Sequence, residues 1–100
     1  MSADDPAAVE IETHRDLGIA YLEMGLFDDA VQELETVRRL GGGEVFCLMM
    51  LGRCYLQMGR RFDAIAHLER ALRLMLEDDS RRDQVVGDLA AAQLLPRQSR

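Results

Sequence analysis

One segment of this chain occurs twice. Leu17 to Leu34 reads LGIAYLEMGLFDDAVQEL, and Leu51 to Leu68 reads LGRCYLQMGRRFDAIAHL. The copies align without a gap at an offset of 34 residues, through Leu17/Leu51, Gly18/Gly52, Tyr21/Tyr55, Gly25/Gly59, Ala30/Ala64 and Leu34/Leu68. Self-similarity with that period marks stacked helix-turn-helix units, each burying an apolar face on its neighbour. The feature implies an all-α architecture and, as a mode of action, an interaction module.

Composition narrows the function classes. One hundred residues, 48% of them hydrophobic, suit one ordinary globular domain rather than a disordered chain. A net charge of −6 argues against nucleic acid, because phosphate binding requires a basic face. All twelve basic residues are Arg, and the chain has no Lys and no Asn, a bias that points to a GC-rich bacterial genome. No charged-then-apolar leader opens the chain, and no apolar run approaches the roughly 18 residues of a membrane span. Membrane insertion is not expected, and a reducing cytoplasmic setting is.

Punctuation along the chain predicts five helices. Residues 1–5 and 96–100 read as flexible termini, and 6–95 as a single domain. That domain holds repeats at about 11–44 and 45–78 and a capping helix at about 80–94. Asp5 caps a first helix that starts at Pro6 and runs to about Met24. Val9, Leu17, Ala20, Tyr21 and Met24 form its expected buried stripe, and Gly25 ends it. Asp28 or Asp29 opens the second helix, whose inner face is Ala30, Leu34 and Val37. Arg38 and Arg39 sit in its last turn, and Gly41 to Gly43 stop it. The third helix is expected from Glu44 to Met58, and the fourth from Phe62 to Glu77. Ser80, with Asp83 three residues on, reads as a capping box that opens the fifth helix.

The repeated landmarks resemble the tetratricopeptide repeat family. The first hairpin offers His14, Leu17, Gly18, Tyr21, Ala30, Leu34 and Val37. The second offers Leu48, Leu51, Gly52, Tyr55, Ala64, Leu68 and Ala71. Departures from the family pattern are His14 where Trp is frequent, Gly42 and Leu76 where Pro is usual, and Phe62 one place later than Phe27. Loss of the second Pro suggests that the fourth helix runs past the usual stop. The resemblance implies a right-handed stack of hairpins with a concave groove lined by the first helix of each. The matching groove positions are Glu12, Arg15, Ile19, Leu22 and Glu23, then Phe46, Met49, Arg53, Leu56 and Gln57, with Met50 beside Phe46. Ile19 and Arg53 stand where carboxylate-clamping members of the family carry Asn, so that specific function is not expected. An apolar strip of Ile19, Leu22, Phe46, Met49 and Leu56, flanked by Glu and Arg, suits an amphipathic helix or an apolar peptide of another protein.

Other chemistry finds little support in the residues. Cys47 and Cys54, two turns apart, lack the additional close ligands of a zinc site and read as small buried hydrophobes. His67 is expected at the surface and His14 half-buried, and neither has a nucleophile and an orienting carboxylate beside it. The three glycines at 41–43 follow no strand and precede no Lys-Ser/Thr, so they read as a turn. Glu77 to Asp79 lack the alternating oxygens of a calcium loop. No catalytic residue, metal or cofactor is expected, and the leading function is a protein-binding adaptor or scaffold in a bacterial assembly. Two alternatives are a small export chaperone for a secreted client and a self-associating subunit, such as a homodimer, whose groove its own copy fills.

Overall fold

The structure is a computed structural model that describes residues 5–97. It comprises α1 (Pro6–Glu23), α2 (Phe27–Arg39), α3 (Glu44–Gln57), α4 (Arg61–Leu74) and α5 (Arg82–Gln93). No strand occurs among the described residues. The termini expected to be flexible, 1–5 and 96–100, lie outside those residues apart from Asp5, Pro96 and Arg97.

Successive helices pack on one another, and α5 also returns to touch α3. The sequence explains the hairpins. α1 begins as expected, with Pro6 in its first turn and the Asp5 carboxylate accepting from the Ala7 N–H at 2.9 Å. It ends at Gly25 in a left-handed conformation (φ +79°). There the Gly25 N–H donates to Leu22 and the Leu26 N–H to Tyr21, which satisfies the last carbonyls. The same bonds recur from Gly59 to Leu56 and from Arg60 to Tyr55, with Gly59 at φ +73°. α2 starts at Phe27, slightly earlier than expected, so Asp28 and Asp29 occupy its first turn rather than capping it. Their carboxylates still face the positive end of the helix dipole.

The core forms two clusters. Ala30 and Leu34 of α2 meet Met50, Leu51 and Cys54 of α3, with Tyr21 and Leu22 of α1 against them. Leu48 and Met49 of α3 meet Ala64, Leu68 and Ala71 of α4, and Val85 and Ala92 of α5. Glycine permits the close crossings within each hairpin. A Cβ at Gly18 would stand 3.1 Å from Leu34, and one at Gly52 2.6 Å from Leu68. Between hairpins, Arg38 Nη2 of α2 holds Glu44 Oε1 of α3 at 2.7 Å.

Three expectations require correction. On α1, Val9, Leu17, Ala20 and Met24 are exposed, and of the expected stripe only Tyr21 turns inward. The inner face is instead Ile11, His14, Gly18, Tyr21 and Leu22, because α2 packs on that side and no described helix lies on the other. α4 stops at Leu74 rather than Glu77: Met75 turns extended (ψ 142°) and buries itself in the α3–α4–α5 core. α5 begins at Arg82, and Ser80 caps nothing. Asp79 organises that turn, accepting from the Arg81 N–H at 2.9 Å and from its guanidinium at 2.9 and 2.7 Å. Those bonds hold the Asp79 carboxyl down at about 2.

Candidate partner-binding groove

Helical geometry decides which α3 residues share a surface. Positions 46, 50, 53 and 57 are spaced by four, three and four, so they form one stripe. Across from it, α1 presents Ile19, Leu22 and Glu23. Together Ile19, Leu22, Glu23, Phe46, Met50, Arg53 and Gln57 line a cleft of about 570 Å³, with Gly25 and Phe27 at one end. Glu12 and Arg15 line a neighbouring depression of about 580 Å³, where Ile11 of α1 faces the Gly41–Gly42 turn. Gly42 keeps that approach tight, since a Cβ there would stand 2.8 Å from Ile11. The Arg15 guanidinium lies 3.9 Å over the Phe46 ring and so joins the two hollows through a cation–π contact.

Met49 and Leu56 do not belong to this surface. They sit about 60–80° round α3 from the Phe46 stripe, at 100° per residue, and that side faces α4 and α5. Met49 is 6% exposed in the core with Val85 and Ala92, and Leu56 packs against the same cluster. The continuous strip expected from Ile19 through Leu56 is therefore divided, and its C-terminal part is covered by α5. Met50 has a double role: it is buried against Leu34 and Cys54, yet its edge reaches the cleft.

Arg53 is the hinge between cleft and cap. Its Nε lies 3.5 Å from Asp88 Oδ2 of α5. With the Gln84 amide turned to satisfy its carbonyl, that oxygen accepts from Arg53 Nη1 and Nη2 at 3.2 and 3.1 Å. Asp88 Oδ2 is shielded from solvent without a hydrogen bond. Burial pushes its pKa up, and the Arg53 charge offsets only part of that effect. Sequence reasoning missed both partners. No landmark fixes the register of α5 on α3, so nothing in the sequence pairs position 53 with 84 or 88.

The remaining reactive side chains are engaged in the fold. His14 Nδ1 bonds the Glu33 carboxylate across α1 and α2. His67 is half-buried rather than at the surface, because its Nδ1–H donates to the Asp63 carbonyl at 2.7 Å and its ring lies 5.1 Å from that of Tyr55. Cys47 and Cys54 are wholly buried, and desolvation pushes each thiol up to about 11. They are protonated at neutral pH and out of reach of a substrate. Among the described residues, no group of three or more His, Cys, Asp or Glu is placed to hold a metal ion. No helix among them is long and apolar enough to cross a membrane.

The sequence model of the tetratricopeptide repeat family matches residues 45–78, the stretch that holds α3, α4 and the turn after them. No curated protein and no solved structure matches the chain.

Proposed function

We propose that this chain, whose residues 45–78 match the tetratricopeptide repeat family, receives an amphipathic helix or an apolar peptide from another protein in its α1–α3 cleft and so acts as an adaptor. Such repeats are protein–protein interaction modules, and the groove between first helices is the surface their packing leaves open. The observation that carries the reading is the set Ile19, Leu22 and Phe46, three large apolar side chains that pack half-buried against the α2–α3 core cluster and still line one cleft. Glu23, Gln57 and Arg15 at its margins supply orientation.

Magnitudes set the expected strength. Fully burying three such side chains gains at most about 5–9 kcal/mol, and Met50 adds little because it is already buried. Association costs on the order of 4–15 kcal/mol, so apolar contact alone gives weak binding. A tight complex must add charge-assisted contacts. Arg15 is the best placed, since no carboxylate pairs with it among the described residues, whereas Arg53 is held by α5. An acidic residue on the partner, near the Arg15–Phe46 stack, meets that need.

A bacterial cytoplasm is the setting we assign. The Arg-only basic set agrees with a GC-rich genome. Two buried, unpaired cysteines agree with a reducing compartment. The test is affinity capture from the cells that make the protein, with Phe46→Ala and Leu22→Ala beside the wild type. Both variants are expected to lose the captured protein while keeping the wild-type helical spectrum. Undiminished capture by both would refute the groove.

A further inference from the structure

A third hollow lies where α2, α3 and α4 meet, and it shares no residue with the cleft. Arg38 of α2, Leu48 of α3 and Ala66, His67 and Arg70 of α4 line a depression of about 130 Å³. Every polar side chain in that lining is basic, in a chain whose net charge is −6. Two guanidiniums around one hollow with no carboxylate in its wall repel each other, and an anion between them removes that repulsion. We propose that this hollow is an oxyanion site that takes a single phosphoryl group.

Ordinary structural duties do not account for the set. Arg38 has two of them: it stands in the last turn of α2, where positive charge suits the helix dipole, and its Nη2 holds Glu44 Oε1 at 2.7 Å. Arg70 has neither. The basic residue in the last turn of α4 is Arg73, and Arg70 makes no ion pair among the described residues. His67 is already held in place. Its Nδ1–H is given to the Asp63 carbonyl at 2.7 Å, and the Tyr55 ring lies 5.1 Å away. Nε2 is therefore the ring nitrogen left for a ligand, an acceptor from a P–OH when neutral and a donor when protonated.

Size and donor type select the ligand. Pockets that enclose whole organic molecules run to roughly 300–1,000 Å³, so this one holds a group rather than a nucleotide. Guanidinium forks match phosphate oxygens bidentately, and a dianion balances two arginines where a carboxylate balances one. Glu44 is the built-in competitor: it does not line the hollow, but it occupies one edge of Arg38, so a ligand shares or displaces it. The field of Glu35 reaches Cys47 and Tyr55, yet Glu35 pairs with neither arginine among the described residues. The phosphoryl group arrives either as free phosphate or on a phosphorylated side chain of another protein.

Titration of the whole chain with inorganic phosphate, against chloride at matched ionic strength and followed by calorimetry and amide chemical shifts, tests the site. Saturable one-to-one binding is expected, with the largest shifts at Arg38, His67 and Arg70. Arg70→Ala is expected to weaken it about tenfold or more. Arg38→Lys, which keeps the charge at the end of α2 but loses the fork, is expected to weaken it as well. Glu44→Gln is expected to strengthen it, because Arg38 is released. Arg73→Ala and Phe46→Ala are expected to change nothing, which separates the site from general charge and from the groove. Far-UV spectra confirm that each variant is folded. A phosphoserine tripeptide flanked by alanines separates the two sources. Binding tighter than that of phosphate, and lost on Arg70→Ala, assigns a partner's phosphorylated side chain, and equal or weaker binding assigns free phosphate. Absence of saturable phosphate binding overturns the proposal. So does binding that Arg73→Ala weakens as much as Arg70→Ala does.

Discussion

A methyl group on Gly52 would stand 2.6 Å from both Cγ and Cδ2 of Leu68, closer than real Cβ contacts come. On Gly18 it would stand 3.1 Å from the equivalent atoms of Leu34, a gap that a few tenths of an ångström relieve. Overpacking costs about 1–3 kcal/mol and the helix propensity of Ala returns about 1, so Gly52→Ala is expected to lose up to about 2 kcal/mol. Gly18→Ala should lie near zero. Urea unfolding of both variants checks the difference, and a Gly52→Ala protein as stable as wild type contradicts the crossing geometry. The two thiols make a separate prediction. Burial raises each from 9.0 to about 11, so their protonated form belongs to the folded state. Their contribution is intact below pH 9 and is lost as pH rises from 9 toward 11, on the order of 2 kcal/mol per thiol. Burial raises Tyr55 as well, so its ionisation adds to the alkaline loss. A Cys47→Ala/Cys54→Ala protein is expected to show a shallower decline in melting temperature over that range.

Elements differ in how plainly their sequences announce them. The hairpin turns were legible because one glycine in a left-handed conformation does the same work twice, at Gly25 and Gly59. The start of α5 was not. Ser80 and Asp83 fit a capping box, but Asp79, held to Arg81 by three bonds, sets the turn instead. Ser80→Ala should therefore leave the melting temperature unchanged, while Asp79→Ala lowers it. Since the Asp79 carboxyl is held at about 2, its contribution persists above pH 4 and fades as pH falls toward 2. The attachment of α5 to α3 carries a sharper contrast. Desolvation raises Asp88 more than Arg53 lowers it, so the carboxylate is costly at neutral pH and less so as acid protonates it. Asp88→Asn is expected to match or exceed wild-type stability at pH 7. Arg53→Ala, which leaves the carboxylate shielded and alone, is expected to lose about 1–2 kcal/mol. Thermal melts of the two settle the sign.

For the molecule as a whole, the repeat made the stacking order readable, because Ala30/Ala64, Leu34/Leu68 and Gly18/Gly52 occupy matching buried places in each hairpin. What it hid was the consequence of the stack's ends. Val9 and Met24 read as core by periodicity, yet they are exposed because no described helix reaches that side of α1. Met49 and Leu56 read as groove by family position, yet α5 takes their side of α3. Periodicity identifies an apolar stripe but not which neighbour covers it, and that depends on where along the stack a helix stands. On the proposed function, Ile19, Leu22 and Phe46, half-buried against the core yet lining the cleft, are the apolar side chains that meet a partner. Photo-crosslinking from position 46 in the cells that make the protein tests that claim most directly, with position 32 on the opposite helix of the first hairpin as control. A discrete protein adduct from position 46, absent from position 32 and lost on Leu22→Ala, is the predicted result. Adducts from position 32 but not from 46 would contradict it and move the binding face to the convex helices.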